Sequence, residues 1–100
     1  MKIDISKLVF DGCWESALLD EVTVYFIAPK ELVEYRFGDG AKIMVTYSKH
    51  DPYNCCPEFM ISPTQDGVAY DWDFLDLDND EDTTKALLKA ALEKMEDHDG

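Results

Sequence analysis

The run Val22-Thr23-Val24-Tyr25-Phe26-Ile27-Ala28 is β-branched or aromatic up to its last residue, a composition that favours a strand. Successive side chains on a strand alternate faces, so Val22, Val24 and Phe26 share one side and Thr23, Tyr25 and Ile27 the other. Both sides are apolar. One must rest on the protein's own core, and the second needs cover from the N-terminal segment or from another molecule. Pro29 ends the run, because proline has no N–H to give to a sheet ladder.

Other short strands surround it. Lys2 to Ser6 alternates, and Leu8-Val9-Phe10 continues to the turn signal Asp11-Gly12, which predicts a first strand. Cys13 to Asp20, with Trp14, Leu18 and Leu19, has too brief a period to assign. Leu32 to Phe37, Gly38-Asp39-Gly40 and Ala41 to Tyr47 read as a hairpin, with Val33, Tyr35 and Phe37 on one face with Ile43, Val45 and Tyr47. Ser48 to Pro57 is a loop, Glu58 to Ser62 a strand, and Pro63 to Gly67 a turn into Val68 to Leu75. In this last strand Val68, Tyr70, Trp72 and Phe74 share a side, opposite Asp71 and Asp73. Thr84, Leu87, Leu88, Ala91, Leu92 and Met95 recur at helical spacing, which predicts an amphipathic helix lying across that aromatic side. Asp78 or Asp80 can cap it, and Asp78 with Glu81 has capping-box spacing. Glu96 to Gly100 reads as a frayed acidic tail. The predicted fold is α+β: a single domain over 1–100, an antiparallel meander sheet of four to five strands with a C-terminal amphipathic helix packed on one face.

Charge narrows the function. With 22 acidic against 9 basic residues the net charge is −13, so nucleic acid and anionic membrane repel the chain, and a basic protein is the expected partner. No apolar run is long enough to span a bilayer. Met1-Lys2-Ile3-Asp4 lacks the apolar stretch of a signal peptide, so the cytoplasm is the expected compartment. Cys13, Cys55 and Cys56 are odd in number and two are adjacent, which fits reduced thiols better than a disulfide framework.

The charge is concentrated between Asp66 and Asp82, where eight carboxylates occur with no lysine or arginine. Asp71, Asp73, Asp76, Asp78, Asp80 and Asp82 follow a near two-residue rhythm, which in extended chain spaces same-face carboxylates by about 6.6 Å. A row of this kind can fill a groove meant for a phosphate backbone, or it can be a solvated strand face followed by helix-capping acids. Placing Asp76, Asp78 and Asp80 in a calcium loop puts Glu81 where glycine is needed and Leu87 where a bidentate glutamate is needed. His50, Asp51, Cys55 and Cys56 suggest a nucleophile with its base, or zinc with Cys13, but their spacing suits neither. Gly38-Asp39-Gly40 is too short for a phosphate loop. No catalytic residue, metal ligand or cofactor is assigned, and an enzyme is not expected. Tyr25 and Tyr53 are the aromatics expected to be exposed as binding anchors.

A small acidic α+β domain carrying the run Asp71-Trp72-Asp73 to Asp82 resembles the phage and mobile-element inhibitors that include anti-CRISPR proteins and other DNA mimics. That resemblance implies tight binding to a basic nucleic-acid-handling effector and blockage of its nucleic-acid site, with the six aspartates as contact acids. Two alternatives stay open. An immunity or antitoxin-like protein would neutralise a basic toxin by the same electrostatics. A self-associating domain would form a homodimer through the doubly apolar strand.

Overall fold

The computed structural model describes residues 5–29, 40–55, 57–75 and 81–99. A 3-10 turn (Ile5–Lys7) precedes strands β1 (Val9–Glu15), β2 (Glu21–Pro29), β3 (Gly40–Ser48), β4 (Glu58–Gln65), β5 (Val68–Ala69) and β6 (Asp73–Phe74), and helix α1 (Glu81–Asp99). The strands form an antiparallel meander in the order β1-β2-β3-β4-β5, and β6 also pairs with β4. The fold is α+β.

The doubly apolar run is β2, and it sits inside the sheet. Its pairs with β3, Val22↔Tyr47, Val24↔Val45, Phe26↔Ile43 and Ala28↔Ala41, put eight side chains on one face, and all eight are buried. Leu87, Leu88, Ala91 and Met95 of α1 close over that face, as their spacing predicts, together with Ile61 and Leu75. Burial of each large side chain contributes roughly 1.5–3 kcal/mol. Met95 is buried close to the end of the helix, which continues to Asp99. The segment expected to fray from Glu96 is thus mostly helical.

Asp11-Gly12 is not a turn. β1 continues through it with a bulge, the register moving from Phe10↔Phe26 to Gly12↔Tyr25, and Gly12 takes the positive φ of 133° that a side chain would strain. Asp11 is the extra residue, and its carboxylate pairs with Lys42 at 2.9 Å. The chain turns later, where Ser16 Oγ accepts the N–H groups of Leu18 (3.3 Å) and Leu19 (2.9 Å). At this tip Leu18 is 96% exposed.

β3 is paired with β2 along its whole length and with β4 over Ala41 to Thr46. Both edges of β3 are thus occupied over Ala41 to Thr46, the stretch that the expected hairpin set against Leu32–Phe37. Leu32–Phe37 itself lies outside the described residues, as do the capping residues Asp78 and Asp80. β4 runs on through Pro63 to Gln65. The turn is only Asp66-Gly67, with φ of 54° and 79°, the left-handed pair that suits a two-residue hairpin.

The last predicted strand is broken in two. Thr64 faces Ala69 and Ile61 faces Asp73, so three residues (70–72) stand opposite two (62–63), which is a second bulge. The fully buried Ser62 holds it. Its Oγ accepts the N–H groups of Tyr70 (3.1 Å) and Asp71 (2.9 Å) and donates to the Pro63 carbonyl (2.8 Å). One inserted residue reverses the alternation, so Val68 and Phe74 no longer share a face. The prediction that Val68, Tyr70, Trp72 and Phe74 lie beneath the helix is thus wrong. Val68, Tyr70 and Phe74 are exposed, and the helix covers the β2–β3 face instead.

Candidate functional site

Asp71 and Asp73 are exposed on the outer margin of the sheet, one in the bulge and one opening β6. Asp73 Oδ1 accepts the N–H of Phe74 at 2.8 Å, which fixes that carboxylate's position. Asp82 is exposed in the first turn of α1, where a negative charge suits the helix dipole. Asp76, Asp78 and Asp80 lie outside the described residues. Among the described residues the ion pairs are Lys42–Asp11, Lys49–Glu15 and His50–Asp20. None of them uses Asp71, Asp73 or Asp82. In the chain order Tyr70-Asp71-Trp72-Asp73-Phe74, exposed acids alternate with aromatics, of which Tyr70 is 63% and Phe74 71% exposed.

Tyr25 and Tyr53 differ from each other. Tyr53 is exposed and borders a groove of about 520 Å³ with Pro57, Glu81, Thr84, Lys85 and Leu88. Tyr25 is half-buried, its ring centroid 6.2 Å from that of Trp72. β3 and β4 lie between β2 and β6, so this ring pair reaches across them and partly covers the second face of β2. Sequence reasoning missed Trp14, Tyr70 and Phe74 as surface aromatics. The signal for Trp14 was its place one residue from the end of a strand, two residues after Gly12.

Where the β1–β2 turn meets the end of β3, Asp20 gathers a small cluster. Its Oδ2 accepts Ser48 Oγ at 2.6 Å and the His50 backbone N–H at 3.4 Å, and it also meets His50 Nδ1. Ser48 Oγ lies 3.1 Å from the same ring nitrogen. A hydrolytic triad needs the hydroxyl and the carboxylate on opposite nitrogens of the imidazole. Here both meet Nδ1, an arrangement that clamps the β1–β2 turn to the end of β3. Cys55 is exposed beside His50, whereas Cys13 is half-buried and packs against the core from β1. Among the described residues no three His, Cys, Asp or Glu side chains gather as a metal site, and no helix is long and apolar enough to cross a membrane.

No family model, no curated protein and no solved structure matches the chain.

Proposed function

We propose that this protein is a non-enzymatic inhibitor that docks its acidic margin on a basic nucleic-acid-handling effector and blocks the effector's nucleic-acid site, as acidic DNA mimics do. One observation carries the reading: Asp71 and Asp73 are exposed, unmatched by lysine among the described residues, and interleaved with the exposed rings of Tyr70 and Phe74. Exposed acids speed encounter with a cationic surface. Aromatic side chains then supply the buried anchors that charge alone does not. A net charge of −13 keeps nucleic acid away from the occupied site by repulsion.

The test is affinity capture from a bacterial lysate at low and high salt, using the native chain and a triple variant, Asp71→Lys, Asp73→Lys and Asp82→Lys. The native chain should retain a basic protein at low salt, release most of it at high salt, and displace DNA or RNA from it. The triple variant should retain at most a tenth as much. Equal retention by the two chains would refute the reading.

A further inference from the structure

We infer that the sheet face turned away from α1 seats the apolar centre of that basic partner's surface, an inference that rests on the reading above in taking the partner to be cationic. Register defines the face. Val9 and Trp14 of β1 stand beside Ile27 and Thr23 of β2, and between these two pairs a separate row runs from Tyr25 of β2 through Met44 and Met60 to Phe74. Trp14 is 59% exposed, and Val9 and Ile27 are also exposed. An aromatic side chain carries roughly 200 Å², so Trp14 and Phe74 alone offer about 250 Å² of accessible apolar surface. That is a sizeable part of the roughly 800 Å² that each partner gives to an ordinary interface.

Charge selects the occupant. Lys42 lies on this face, but its ammonium is held by Asp11. Lys85, Lys89 and Lys94 belong to α1 on the far side of the sheet, and Lys49 is tied to Glu15. The acids Glu21 and Glu58 fall on the open face by register, Asp71 stands in the bulge at its border, and Asp73, paired with Ile61, belongs to the helix-side face just behind it. A second copy laid face to face would set these acids against their own kind, and like charges in contact oppose association. A patch with an apolar middle and a lysine or arginine rim is complementary at both levels.

Trp14 and Trp72 are the chain's two tryptophans. Both belong to this face, so tryptophan emission reports on it directly. The probes are two synthetic peptides of equal length and equal lysine content, one with leucine and phenylalanine between the lysines and the other with serine. Titrated into the full chain, the apolar peptide should shift the emission to the blue and bind at least tenfold tighter than the serine peptide. The double variant Trp14→Ser, Ile27→Thr should abolish that advantage while leaving serine-peptide binding unchanged, with Trp72 as the remaining reporter and far-UV circular dichroism confirming the fold. If it does not fold, Val9→Thr serves, and should cut the advantage at least threefold.

Equal binding of the two peptides, or an advantage that survives the substitutions, overturns the inference. So does a dimer in light scattering that the substitutions dissolve, which would make the occupant a second copy. Asp71→Lys with Asp73→Lys separates the two proposals: it should weaken both peptides alike. If it weakens neither, the electrostatic reading of function fails, and the contrast between the peptides still decides whether the face binds apolar groups.

Discussion

Replacing Ser62 with alanine removes one oxygen and leaves three hydrogen bonds unmade. Ser62 is fully buried, and its Oγ is the acceptor for the Tyr70 and Asp71 amides and a donor to the Pro63 carbonyl. A buried amide left without a partner costs about 1–3 kcal/mol. Both amides belong to exposed residues that water can reach once the margin loosens, so the lower end applies to each, and the sum with the lost donor bond is about 2–3 kcal/mol. For a domain of this size each kcal/mol lowers Tm by roughly 4–8 °C, which gives a fall of about 10–20 °C. Thermal unfolding followed by helical circular dichroism measures it. Amide exchange locates it, since the Tyr70 and Asp71 amides should lose protection before those of β2 and β3. Thr64→Ala on the same strand is the control, because its hydroxyl makes only a 3.4 Å contact with the Gly40 carbonyl. A Tm for Ser62→Ala within about 3 °C of the native value, with exchange at residues 70 and 71 unchanged, would refute the claim that this hydroxyl holds the bulge.

Three further outcomes are expected. Leu87→Ala, at a fully buried position on the sheet-facing side of α1, should cost about 2–5 kcal/mol in urea unfolding, whereas Leu18→Ser at the exposed tip should change stability by less than about 0.5 kcal/mol; similar values for the two would mean the core is misplaced. Gly67→Ala should lower Tm by several degrees, because φ of 79° suits glycine and strains an L side chain; an unchanged Tm would show that the turn can re-form. Raising sodium chloride from low to moderate concentration should raise Tm, because screening weakens the self-repulsion of 22 acids against 9 bases; a fall would mean that ion pairs such as Lys42–Asp11 outweigh the repulsion.

Elements whose patterns run unbroken were legible in the sequence. β2 was readable from β-branched and aromatic residues alone, and α1 from the spacing of Leu87, Leu88, Ala91 and Met95. The errors have separate causes. An Asp-Gly pair marks turns but also suits a bulge, so Asp11-Gly12 looked like a turn, and a bulge adds a residue to an alternation, so Val68 to Phe74 looked like one continuous face. Proline is uncommon within a sheet, which hid the extension of β4 through Pro63. Pairing was legible only between neighbours in sequence: Leu32–Phe37 seemed the natural partner for Ala41–Tyr47, but β2 occupies that edge through nine residue pairs. At the candidate site the composition of the acidic run was evident. The exposure of the rings between its acids was not, because it depends on which face the helix takes.

Irregular geometry at both margins of the sheet limits how copies of this protein can meet. β1 is bulged at Gly12, and the strand beyond β4 is interrupted at residues 70–72, so among the described residues neither border offers a straight row of backbone donors and acceptors for an added strand. A chain that leaves Trp14, Leu18 and Phe74 in water would otherwise be at risk of growing edge to edge into fibrils. With that route disfavoured, the exposed apolar side chains do not by themselves template a growing sheet.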